Sequence, residues 1–107
     1  MSDHALPELD KEGFLVELKD WTPDVARQLA QREGVMLTEA HWDVVELLQI
    51  YYERFDHAPA MRPFIKYLSQ HLPKEQANSI YLLQLFPGSP AKLAAKIAGL
   101  PKPPNCL

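Results

Sequence analysis

A lone cysteine, Cys106, stands next to last in this 107-residue chain. It is the side chain whose type and position best suit covalent chemistry on another molecule. A free thiol has a pKa near 8.5, so about 3% is thiolate at pH 7, and nearby cations raise that share. Thiolate attacks sulfur readily, and a persulfide formed on it is a reversible cap that another thiol removes. With one cysteine in the chain, no second thiol can resolve it into an internal disulfide. The expected chemistry is the carriage of one sulfur atom between molecules. A lone cysteine is otherwise a small buried hydrophobe, and the setting of this one speaks against that. Pro101, Pro103 and Pro104 fix three φ angles and bias their predecessors towards extended backbone. At about 3.1 Å per residue, the stretch from Gly99 to Leu107 spans roughly 25 Å.

Little else in the chain is catalytic. Ser69 and Ser79 have no histidine and acid at telling spacing, and glycines 13, 34, 88 and 99 never cluster into a phosphate-cradling loop. His4, His41, His57 and His71 are too scattered to suggest a metal site. No cofactor is expected beyond a transient cysteine persulfide. Glu39 and Asp43 read as a solvated helix face, Arg62 and Lys66 as a surface pair with an anion site as the alternative, and Trp21, Trp42 and the tyrosines as packing. The helix ending at Gly34 and the one following Thr38 are separated by a tight turn, which resembles a helix-turn-helix. The second helix carries Glu39, Asp43, Glu46 and Glu53 against Arg54, the wrong sign for phosphate contact. Direct DNA binding is therefore not expected.

The formal net charge of −3 is unevenly spread. Residues 1–56 hold 13 acids and 5 bases, a net of −8, whereas residues 57–107 hold one acid and 6 bases, a net of +5. After Glu75 no acidic side chain occurs, so Cys106 shares its third of the chain with Lys92, Lys96 and Lys102. One reading is a mildly positive end that steers acidic partners and favours an anionic sulfur. The other is a chance surface distribution, with folding bringing acids close.

The elements that must position the thiol follow from pattern. An apolar fraction of 47% and a charged fraction of 23% are ordinary for one globular domain. Leu6–Leu9, turn material at 10–13 and Phe14–Leu18 read as a short N-terminal β-hairpin, with Pro7 confining the first strand to an edge. Thr22-Pro23 is a cap-plus-proline helix start, and Gly34 is placed to end that helix. The longest helix runs from Glu39 to about Phe55, with an apolar face wide enough to suggest a place near the centre. Met61, Phe64, Ile65, Leu68 and Leu72 mark a third helix, and residues 74–86 a fourth stopped by Pro87-Gly88. Ser89-Pro90 opens a short alanine-rich fifth that Gly99 closes. The fold class expected is mainly α, with a helical domain over residues 1–98 and an extended C-terminal arm over 99–107. No apolar run approaches the roughly 20 residues of a membrane span, and the first residues lack a signal-peptide pattern, so a cytoplasmic protein is expected.

The run Tyr81-Leu82-Leu83-Gln84-Leu85-Phe86-Pro87, then Pro90-Ala91-Lys92, then Lys96-Ile97-Ala98-Gly99-Leu100-Pro101-Lys102-Pro103, closing on Cys106, resembles the C-terminal signature of the DsrC/TusE family. Upstream the likeness continues through residues 37–45, Tyr51-Tyr52, Phe55, Pro59, Arg62 and Lys66. The resemblance implies a small helical fold with an N-terminal β-hairpin, a helix-turn-helix-like pair and a mobile C-terminal arm, and it implies that Cys106 receives and passes on sulfur. The family divides on a second cysteine eleven positions before the last. Members serving dissimilatory sulfite reductase have both, and this chain has Ala95 there. The single-cysteine branch is the better match. It implies a sulfurtransferase that takes persulfide sulfur from a TusBCD-like donor complex and delivers it to the tRNA 2-thiouridine-forming enzyme, with tRNA met only indirectly. The alternative implied is an adaptor or regulator associated with sulfite reductase or sulfur oxidation, without sulfur transfer. Two departures stand out: a shorter, proline-interrupted N-terminal segment, and Gly88-Ser89 with Leu93 where the family more often has other residues.

Overall fold

Thr22 opens the first helix through its side chain, whose Oγ1 accepts the Val25 N–H at 3.1 Å, with Pro23 at the first helical position, where no N–H is needed. The computed structural model describes residues 5–104 and contains five α-helices: α1 (Pro23–Arg32), α2 (Glu39–Phe55), α3 (Met61–Ser69), α4 (Ser79–Leu85) and α5 (Pro90–Ile97). Gly34 takes φ +76° after α1. The Gly34 N–H donates to the Gln31 carbonyl and the Val35 N–H to the Ala30 carbonyl, the doubly bonded glycine ending expected there. At the start of α2, the buried His41 ring reaches back to accept the Thr38 N–H on Nδ1 at 3.0 Å. Its Nε2 lies 2.7 Å from the Leu85 carbonyl, tying the head of α2 to the end of α4.

Two expectations are corrected. The N-terminal hairpin shrinks to one antiparallel bridge between Leu9 and Leu15, and Leu18–Asp20 forms a single 3-10 turn. The reason is Asp10, whose Oδ1 accepts the N–H groups of Glu12 and Phe14, each at 2.9 Å, and curls the chain before a ladder can extend. The fourth helix does not begin at 74. Lys74–Gln76 make a 3-10 turn, and Asn78, in extended backbone, restarts the chain as α4 by accepting the Tyr81 N–H at 2.9 Å. The long α2 lies near the core, as its wide apolar face suggests, with Val44, Val45, Leu48 and Tyr51 buried. Helix α5 packs against α1, α2, α3 and α4, with Ala91, Leu93, Ala94, Ala95 and Ile97 all buried. Alanine lets neighbouring backbones approach from several sides, while α2 leaves Glu39, Asp43 and Glu46 in water along one edge.

The main core gathers around α5. Phe64 and Leu68 come from α3, Leu82 from α4 and Phe86 from the residue that caps it, Val44, Val45 and Leu48 from α2, and Phe14 from the N-terminal turn. Leu100, just past α5, is fully buried in the same cluster. Among the described residues no helix is long and apolar enough to cross a membrane.

Candidate functional site: the root of the C-terminal arm

The expected arm begins at Gly99 where α5 ends, but residues 99–104 follow the body rather than leaving it, and every carbonyl at the helix end is answered. The Gly99 N–H donates to the Lys96 carbonyl at 3.1 Å and the Leu100 N–H to the Ala95 carbonyl at 2.9 Å. These two bonds need Gly99 at φ +80°, a conformation that costs an L-residue with a side chain about 1–2 kcal/mol. The remaining carbonyls are met from distant parts of the chain. The Trp21 indole N–H donates to the Ile97 carbonyl at 2.9 Å, and the Gln49 amide to the Ala98 carbonyl at 2.9 Å. A buried carbonyl left without a donor costs about 1–3 kcal/mol, so these two side chains fix the helix end as well as cover it.

Trp21 lies close against the glycine. A Cβ placed on Gly99 would stand 2.6 Å from the indole Cδ1 and 3.1 Å from the Trp21 Cβ. Gly99 is thus required twice, by its backbone angle and by the indole packed over it. With Leu100 sunk in the core, the pivot of the arm is immobilised on both sides of the glycine.

Beyond Leu100 the chain stays on the body as far as it is described. Pro103 is buried, and the Lys102 ammonium lies 3.1 Å from Glu12 Oε1 and 3.5 Å from Oε2. Lys92, on α5, reaches the same carboxylate at 3.5 Å. Glu12 is brought there by the Asp10-clipped turn, whose Gly13 takes φ +87° and whose Phe14 is sunk in the core. The two ammonium groups, Lys102 foremost, hold the Glu12 carboxyl below its ordinary value of 4.5. Lys96 pairs with Glu33 at 3.0 Å and stands over the Phe14 ring at 5.1 Å. A cleft of about 310 Å³ opens beside the arm root between Phe14, Leu18, Tyr52, Pro101 and Lys102.

Cys106 itself, the expected site, lies outside the described residues. The three lysines expected to make its end of the chain positive are placed near the arm root, but Glu12 and Glu33 from the acidic half come with them. Folding has brought the acids close, so the charge that these lysines present to an approaching partner is largely compensated. Arg62 and Lys66 stand exposed one turn apart on α3. Sequence reasoning missed Glu12 and Gln49, and it read Trp21 as packing alone. Among the described residues no group of three or more His, Cys, Asp or Glu side chains could hold a metal.

Residues 2–107 match the family model described as DsrC like protein. Among curated relatives, the chain is 46% identical over 98 residues to Sulfurtransferase TusE of Sodalis glossinidius, covering 92% of this chain and 91% of that protein. It is 44% identical over 100 residues to the Sulfurtransferase TusE homolog of Haemophilus influenzae, covering 94% and 92% respectively. Among solved structures, the NMR structure of Allochromatium vinosum DsrC superposes with a TM-score of 0.84 at 47% identity, over 92% of this chain and 88% of that one. The crystal structure of the oxidized gamma-subunit of the dissimilatory sulfite reductase from Archaeoglobus fulgidus gives a TM-score of 0.80 at 36% identity, over 94% and 92%.

Proposed function

Because this chain belongs to the DsrC-like family, we propose that it is a sulfur carrier, accepting a sulfur atom on Cys106 and passing it to an enzyme that forms 2-thiouridine in tRNA. The single observation that carries the reading is the thiol inventory. The penultimate Cys106 is the one cysteine of the chain, and Ala95, eleven positions earlier, is a buried residue of α5. Overall identity does not separate the family's branches, since the chain stands equally near a TusE at 46% and a DsrC at 47%. The missing second thiol favours the single-cysteine branch, because two-thiol chemistry has nowhere to form within this chain. The names of the curated relatives, sulfurtransferases, support the same side.

The transfer is two thiolate displacements. The Cys106 thiolate attacks the terminal sulfur of a donor persulfide, a sulfur–sulfur bond forms on Cys106, and the donor's own bond breaks with its cysteine leaving as thiolate. The acceptor's thiolate then attacks that terminal sulfur, and Cys106 departs as thiolate with its electron pair. No external oxidant or reductant enters either step. The donor fitting this role is a TusBCD-like complex, and the acceptor is the tRNA-thiolating enzyme, which would supply the tRNA contact. Glu39, Asp43 and Glu46, exposed on α2, suit a protein that leaves phosphate to its partner. Such a relay belongs in the cytoplasm.

The test is the intact mass of the protein after incubation with a cysteine desulfurase and the donor complex. The wild type gains one sulfur, and Cys106→Ser gains none. Equal masses for the two would overturn the carrier reading. The adaptor reading draws on the likeness to the sulfite reductase gamma-subunit. It requires Cys106→Ser to bind partners and sustain their activity undiminished.

A further inference from the structure

We propose that Glu12 is a positioning residue for the transfer: by gripping Lys102 it straps the arm to the body and sets how far Cys106 travels, an inference that rests on the carrier reading. The geometry is specific. One carboxylate at the tip of a braced turn holds an ammonium on the arm at 3.1 Å and one on α5 at 3.5 Å, so the arm is tied to the helix from which it emerges. The turn is built for presentation, since Asp10 clips it and Phe14 anchors it, leaving the Glu12 side chain half-exposed at its edge.

With the strap closed, covalent geometry confines the Cys106 Cα to within about 7 Å of the Pro104 Cα, two residues back. With it open and Pro103 lifted from its buried seat, the fixed point retreats to Leu100, and six extended steps allow about 19 Å. The cleft beside Pro101 and Lys102 leaves the strapped stretch unsealed along one side. Pro103 is buried and is the second hold on the strapped stretch. An exposed ion pair shifts such an equilibrium by about two- to fivefold and weakens with salt, which suits a tie that a docking partner opens. A partner carboxylate competing for Lys102, or an ammonium competing for Glu12, would release the arm towards that partner.

The single cysteine makes the test direct, because a nitroxide spin label can be attached at Cys106 alone. In the full chain, Glu12→Gln is expected to raise the mobile fraction of the label about two- to fivefold at low salt. Lys102→Gln should match it, and the double variant should exceed neither. Wild type should approach the variants near 1 M salt, where the screening length falls to about 3 Å, and Glu12→Gln should respond little. Label mobility unchanged in both single variants, or strictly additive in the double, overturns the strap. Lys102→Gln attacks the tie from the arm side, so loss of folding in one variant leaves the other to decide. A second measurement reads transfer: Glu12→Gln should raise the rate of sulfur handover to a protein thiol relative to dithiothreitol by a similar factor, and an unchanged ratio overturns the positioning role. The label experiment uses no sulfur, so failure of mass loading would sink the carrier reading while leaving the strap standing.

Discussion

Replacing Gly99 with alanine should be much more damaging than replacing Gly34, although both glycines end a helix in the same way. Gly34 has φ +76° and Gly99 φ +80°, and the same two backbone bonds follow each. The left-handed conformation costs an alanine about 1–2 kcal/mol at either site. A Cβ on Gly34 meets nothing within 4 Å, so Gly34→Ala carries that cost alone. On Gly99 it meets the root of the Trp21 side chain, at 2.6 Å from Cδ1 and 3.0 Å from Cγ. These atoms cannot step aside by a small rotation at the tip, so the whole indole must move. Its N–H then loses the Ile97 carbonyl, which adds about 1–3 kcal/mol for the unpaired group. Gly99→Ala should therefore cost about 2–5 kcal/mol in total, a large part of the stability of a small domain. Urea denaturation followed by circular dichroism measures both variants. A cycle with Trp21→Ala isolates the contact, since Gly99→Ala made in that background should cost only what Gly34→Ala costs. Equal costs at the two glycines in the wild-type background, or no coupling to Trp21, would refute the account of the arm root given above.

Three further outcomes follow from other parts of the molecule. His41→Ala should cost about 2–4 kcal/mol, because it leaves the Leu85 carbonyl and the Thr38 N–H without their ring partners and opens space beside Phe86; chemical denaturation checks it. Thr22→Ala should cost about 1 kcal/mol, read the same way, through loss of the bond to the Val25 N–H. The Glu12 carboxyl, titrated by carbon-detected NMR, should have its midpoint below 4.5, and Lys102→Gln should move it upward. The sign follows from that depression: the pairing contributes fully above the ordinary carboxylate pKa and is lost as pH falls through the lower folded value. A midpoint at or above the ordinary value would deny the pairing.

The helix ends were legible in the sequence because their signals are local. Thr22-Pro23 and Gly34 bound α1, and Ser89-Pro90 and Gly99 bound α5, each within a residue or two of its effect. The break at Asn78 was hidden because the apolar period runs through residues 77–85 without interruption, and a capping side chain decides the start there. The hairpin pattern misleads for a similar reason. Apolar runs on either side of a turn suggest a ladder, but the Asp10 carboxylate spends the backbone donors that would begin it. Nothing local pointed to Trp21, Gln49 or Glu12. Their partners Ile97, Ala98 and Lys102 are 76, 49 and 90 residues away in sequence, and only the assembled fold brings them together. The place of α5 against four other helices carries no local signal, because it rests on how closely their backbones approach its alanines.

The immobilised pivot at Gly99 and Leu100 makes the arm a tether of fixed origin. Once Lys102 is released from Glu12 and Pro103 leaves the body, a thiol carried within a half-sphere of about 19 Å radius would be present at an effective concentration on the order of 0.1 M, far above the concentration of any free protein. For a carrier this turns each handover into a nearly intramolecular step once a partner has docked. On the carrier reading the sulfur needs no binding pocket of its own on this chain, and selectivity passes to whichever partner can seat itself within the tether's circle.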